Sequence, residues 1–81
     1  MISASHLPSV AFKNKSMVEQ SGKAGCFRCC KVFGPKEVAH HTDGGQTCVC
    51  PNCGHDCVVG DASGFEVSEE NLQKASKVIF G

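Results

Sequence analysis

Residues 47–57, TCVCPNCGHDC, place four cysteines and a histidine in eleven consecutive positions. A structural zinc ion takes four protein ligands. Cys48, Cys50, Cys53, His55 and Cys57 therefore cannot all serve one ion together with ligands from elsewhere in the chain. The Cys50-Pro-Asn-Cys53-Gly54 spacing separates them. Two residues between cysteines make a tight turn that points both sulfurs at one ion, and the amides of that turn can share the thiolate charge. Pro51 fixes φ and brings no N–H to misdirect. Gly54 supplies the left-handed residue that such a turn commonly needs.

Moving N-terminally, CFRCC at 26–30 holds a second pair, Cys26 and Cys29. Twenty residues separate Cys29 from Cys50, close to the C-x2-C-x15–20-C-x2-C spacing of a zinc site. Four thiolates in a tetrahedron suit Zn²⁺, which is redox-inert and has no d-electron preference for geometry. The expected metal ligands are Cys26, Cys29, Cys50 and Cys53, around one structural Zn²⁺. Cys30 stands where the second half has Gly54, so Cys30 is an alternative to Cys29. The tighter spacing favours Cys29. Cys48 and Cys57 read as small buried apolar residues, which free cysteine resembles. His55 is a substitute ligand, disfavoured because four better-placed sulfurs exist. Iron is an alternative ion, since paired thiolate knuckles also hold iron in rubredoxin-like proteins. A dithiol switch is a further alternative, opposed by the closure of both knuckles around one ion.

A chain of 81 residues with no Trp or Tyr and five Phe has too little large apolar surface for an ample core, and small domains compensate with disulfides or a metal. Seven cysteines, an odd number, with no basic-then-apolar leader at the start, point to metal chemistry in a reducing compartment, hence to the cytoplasm. No apolar run approaches a membrane span. Formal charge is zero; four thiolates and one divalent ion would take it to −2. Nucleic-acid binders normally carry a basic stripe, and Lys13, Lys15 and Lys23 make only a modest basic bias.

The expected fold is a small α+β metal-stabilised domain, a zinc ribbon over 26–81 preceded by a flexible leader over 1–25, in which SVAF forms at most a short strand. Gly34-Pro-Lys-Glu37 predicts a helix over about 35–42, with Glu37 at N3 and Phe33 packing on Val38. TDGGQ is a turn. QTCVC and DCVV are expected to pair as a hairpin across CPNCG, followed by a GDASG loop. SEENLQKASKVIF predicts a terminal helix capped by Ser68, with Glu69 and Glu70 in its first turn, a Val67–Leu72 staple, and Leu72, Ala75, Val78 and Ile79 on one face.

No catalytic constellation stands out. His40, His41 and Asp43 between the knuckles invite comparison with HNH nucleases, but the eight residues from His41 to Cys50 leave no room for the ββα unit that such a site needs. No Walker loop, dinucleotide fingerprint or Ser/His/Asp order is present, and nothing singles out an activated thiolate.

CFRC, FGPKEV, GGQTCVCPNCG and VVGDASGFEVSEENL together resemble a family of small, largely uncharacterised bacterial and bacteriophage zinc-ribbon proteins. The likeness covers about residues 26–80. It implies a zinc ribbon, ligands at Cys26, Cys29, Cys50 and Cys53, and a bacterial or phage-infected cytoplasm. It also implies that Cys30, Cys48, His55 and Cys57 are not ligands. It implies no activity. The expected function is a non-enzymatic module that binds another protein, such as a host transcription or defence factor. The alternatives are a nucleic-acid-binding ribbon, with Arg28, Lys31 and Lys36 at phosphates, and a thiol redox or metal sensor.

Overall fold

The computed structural model describes residues 6–81. In chain order it holds α1 (Leu7–Val10), α2 (Lys15–Glu19), β1 (Ala24–Cys26), β2 (Val32–Phe33), a 3₁₀ turn (Pro35–Glu37), β3 (His41–Thr42), β4 (Thr47–Cys48), β5 (Val58–Gly60), a second 3₁₀ turn (Asp61–Ser63) and α3 (Glu69–Phe80). Two antiparallel sheets form, one ordered β2-β1-β5 and the other pairing β3 with β4.

β1 is the central strand. Ala24 pairs with Phe33 and Gly60, and Cys26 with Val58. Both faces of its sheet are covered, so all three β1 residues are buried. Because successive strand residues point to opposite faces, Val58 and Val59 enter different cores. Val59 joins Leu7, Ala11, Phe27, Phe65 and Leu72 on one side. Val58 joins Val18, Ala24, Phe33 and the cysteines on the other. Gly25 lets α3 approach: a Cβ there would lie 2.6 Å from Leu72 Cδ1.

α3 agrees with its sequence. The Ser68 hydroxyl accepts the Asn71 N–H at 3.1 Å, and Val67 and Leu72 are both buried in the same core. Leu72 and Ala75 face inward, whereas Val78 is 63% exposed and lies off the expected stripe.

Four expectations need correction. Val58–Gly60 does not pair with Thr47–Cys48. The first pairs with β1 and the second with β3. One backbone bond, Cys50 N–H to the His55 carbonyl at 2.8 Å, closes the second knuckle, and the returning chain is then taken by β1. The helix over 35–42 is a single 3₁₀ turn. Gly34 and Glu37 behave as a cap, with the Glu37 carboxylate accepting the Gly34 N–H at 2.7 Å. The backbone then extends at Val38 (ψ 109°), because His41 and Thr42 are needed opposite Cys48 and Thr47.

The SVAF segment forms no strand: Ser9 and Val10 end α1, which has Pro8 in its first turn, and Ala11 and Phe12 form the turn that follows. Residues 6–25 also do not stand apart from the knuckles, although residues 1–5 of the expected leader lie outside the described ones. Leu7, Ala11 and Val18 are buried in the two cores. Asn14, 3% exposed, binds the sheets together. Its Oδ1 accepts the Cys48 N–H at 2.9 Å, and its Nδ2 donates to the Val58 carbonyl at 2.7 Å. The β3–β4 and β1–β5 registers turn these two backbone groups away from their own sheets, and one amide side chain satisfies both.

Candidate metal centre

The two Cys-x-x-Cys segments fold as near copies of each other. In the first, the amides of Arg28 and Cys29 point at Cys26 Sγ, each at 3.4 Å. In the second, the amides of Asn52 and Cys53 point at Cys50 Sγ, at 3.3 and 3.4 Å. Cys30 N–H donates to the Cys26 carbonyl and Gly54 N–H to the Cys50 carbonyl. Each turn ends left-handed, at Cys30 (φ 65°) and Gly54 (φ 77°). Cys30 thus fills the glycine position of its knuckle, and Cys29 is the residue placed like Cys53.

β1 carries Cys26 and pairs it with Val58, just beyond the second knuckle. This brings the knuckles face to face. The sulfurs of Cys26, Cys29, Cys50 and Cys53 all lie within 4.8 Å of one another. Cys26 Sγ is 3.6 Å from Cys53 Sγ, and Cys29 Sγ is 3.6 Å from Cys50 Sγ. A tetrahedron with metal–sulfur bonds of 2.3 Å has edges of about 3.8 Å. The donor set therefore has the size and chemistry to hold a metal ion. All seven cysteines are free of disulfide bonds.

The electrostatics agree. Burial pushes the Cys26 and Cys50 thiols up, against the pull of the amides aimed at them. At Cys29 burial also acts upward. Hydrogen bonds from the Lys31 amide, the Asn52 side chain and the neighbouring thiols outweigh it and bring the thiol down to about 7. A site that desolvates thiolates while aiming amides at them suits a cation, which would supply the missing positive charge.

The remaining candidates fall outside the cluster. Cys48 is buried in the core beside it. Cys57 is half-buried and packs against both cores. Cys30 packs on the α3 side. His55 contributes its carbonyl to the second knuckle, and its ring is not among the converging donors. Asp43, set aside as a nuclease ligand, accepts the buried Thr47 hydroxyl at 2.8 Å within the β3–β4 turn. Asn14 is the site-supporting residue that the sequence did not reveal. The signal available was the apolar spacing of Leu7, Ala11 and Val18 on either side of it.

Fold and site together define a small α+β domain with antiparallel sheets and a cluster of four cysteines consistent with metal stabilisation. Comparison of the chain with protein-family models, curated proteins and solved structures returned no match. No described helix is long and apolar enough to cross a membrane.

Proposed function

We propose that the four-cysteine cluster holds one structural Zn²⁺ and that the domain is a non-enzymatic module that binds another protein. A single geometric observation carries this. Four protein sulfurs converge within 4.8 Å, so all four tetrahedral positions are filled from the chain. A site closed in this way leaves no coordination position for a substrate or an activated water. The metal then supports the two sheets, and function lies on the surface they present.

Zinc is favoured over iron by its preference for closed tetrahedral thiolate sites without redox chemistry. A protein partner is favoured over nucleic acid by charge, since the metal-loaded chain carries about −2, with Arg28, Lys31 and Lys36 the cations around the first knuckle. By resemblance to the small bacterial and phage zinc ribbons, the module works in a bacterial cytoplasm and the partner is a host factor.

The test is affinity capture with the zinc-loaded chain, followed by reconstitution from purified components. A saturable, stoichiometric protein complex that survives moderate salt is expected. A salt-sensitive shift with DNA or RNA and no protein complex would replace this function with the nucleic-acid one.

A further inference from the structure

The four sulfurs of the cluster are not equally protected. Cys26 Sγ accepts the Arg28 and Cys29 amides, and Cys50 Sγ accepts the Asn52 and Cys53 amides. Both of these cysteines are buried. Cys29 is half-buried, and the Lys31 amide and the Asn52 side chain donate to it. Cys53 is half-buried too. Its sulfur has the Cys26 sulfur as a partner at 3.6 Å, and no N–H among the described residues bonds to it. An N–H aimed at a thiolate offsets part of its negative charge and so tempers it as a nucleophile. The Cys53 sulfur therefore keeps the most charge of the four. It also lies in an open stretch, because Pro51, Asn52, Gly54, His55 and Asp56 are all exposed.

A second thiol stands beside it. Cys57 is half-buried and packs against the same core as Cys53. Its carbonyl accepts the Phe27 N–H at 3.0 Å, which ties it to the first knuckle. Burial and the Asp56 charge push the Cys57 thiol up, so it stays protonated next to a thiolate. The other surplus thiols lie elsewhere: Cys48 is buried, and Cys30 packs on the α3 side. Residues 54–56, which link Cys53 to Cys57, are exposed and belong to no strand or helix. A Cβ at Gly54 would meet no atom within 4 Å, so the link has room to tighten.

We infer that Cys53 and Cys57 are a peroxide-reactive pair, Cys53 as the site of attack and Cys57 as the resolving thiol, and that their oxidation opens the metal centre. The Cys53 thiolate attacks hydrogen peroxide and the O–O bond breaks. The departing hydroxide takes a proton from solvent and leaves as water, and Cys53 becomes a sulfenic acid. The Cys57 sulfur then displaces the sulfenic hydroxyl. The thiol proton leaves with that hydroxyl as a second water, and a Cys53–Cys57 disulfide remains. One peroxide is thus reduced to two waters while two sulfurs are oxidised. A disulfide sulfur is no longer an anionic ligand, so the cluster loses one of its four donors. This inference rests on the four-sulfur zinc site proposed above.

The experiment exposes the zinc-loaded full chain to equimolar hydrogen peroxide. Native mass spectrometry reads bound zinc before and after, and digestion under non-reducing conditions reads the disulfides. Zinc should be lost in step with formation of a Cys53–Cys57 disulfide, and a dithiol reductant with added zinc should restore the starting mass. Cys57→Ala should load the same zinc and, under peroxide, accumulate a Cys53 sulfenic acid that dimedone traps, with no disulfide at Cys53. Cys30→Ala should behave as the unsubstituted chain does. A disulfide from Cys53 to its 3.6 Å neighbour Cys26 would overturn the role of Cys57. A first disulfide that omits Cys53, or zinc retained after Cys53 is oxidised, would overturn the inference and leave the zinc site standing. A chain that holds no zinc before the oxidant is added would overturn both.

Discussion

Replacing Asn14 with alanine removes a side chain that joins the two sheets through hydrogen bonds to both. The Cys48 N–H loses its acceptor at 2.9 Å and the Val58 carbonyl its donor at 2.7 Å. Both residues are buried, at 2% and 0% exposure. An unsatisfied buried polar group costs about 1–3 kcal/mol, so two such groups predict a loss of about 2–6 kcal/mol. A domain of this length has about 4–12 kcal/mol in total. The assay is urea unfolding of the zinc-loaded protein, with metal content measured on the same samples. Asn14→Ala should lower the midpoint steeply while the folded fraction keeps its metal, because Asn14 touches no cluster sulfur. Asn14→Asp keeps an acceptor for Cys48 but turns a carboxylate oxygen toward the Val58 carbonyl, and should be destabilised as well. Gln20→Ala, which removes an exposed hydrogen bond to Ser16, is the control. A loss below about 0.5 kcal/mol for Asn14→Ala, the range of an ordinary surface change, would refute the bridging role.

Gly25→Ala should cost about 1–3 kcal/mol by overpacking, since its Cβ would meet Leu72 Cδ1 at 2.6 Å and the Lys31 carbonyl at 3.1 Å; urea midpoints measure this. Cys30→Gly should keep metal stoichiometry unchanged and raise the unfolding free energy by up to about 1 kcal/mol, because it relieves a left-handed residue (φ 65°). Burial, and secondarily the Glu19 charge, pushes the Cys48 thiol above its ordinary 9.0. Its folded value thus exceeds its unfolded one, so its contribution is complete below about pH 9 and is lost as pH rises further. Unfolding midpoints should fall above that pH, and Cys48→Ala should flatten the fall without changing metal content.

What the sequence revealed was local. Cys-x-x-Cys spacing is a constraint within four residues, and each knuckle closes through its own amides, so the four converging cysteines could be read directly. The Ser68 cap and the α3 start are local in the same sense. The misread elements depended on distant partners. Cys50-Pro-Asn-Cys53 looks like a hairpin turn, but the strand after it pairs with Ala24–Cys26, more than thirty residues earlier in the chain. The predicted second helix stops after one turn because β4 needs His41 and Thr42 as its ladder. The N-terminal segment looked detachable because it offers few large apolar residues. Its attachment through Asn14 is visible only once two sheet edges present a donor and an acceptor to the same place.

The central claim is that a metal held by four sulfurs organises the domain. Native mass spectrometry of the purified chain, paired with thermal melts before and after exhaustive chelation, tests it most directly. One zinc ion per chain is predicted, with loss of the cooperative transition on its removal, since structural zinc binding is coupled to folding. A chain that carries no stoichiometric ion and melts cooperatively at the same temperature after chelation would contradict the account.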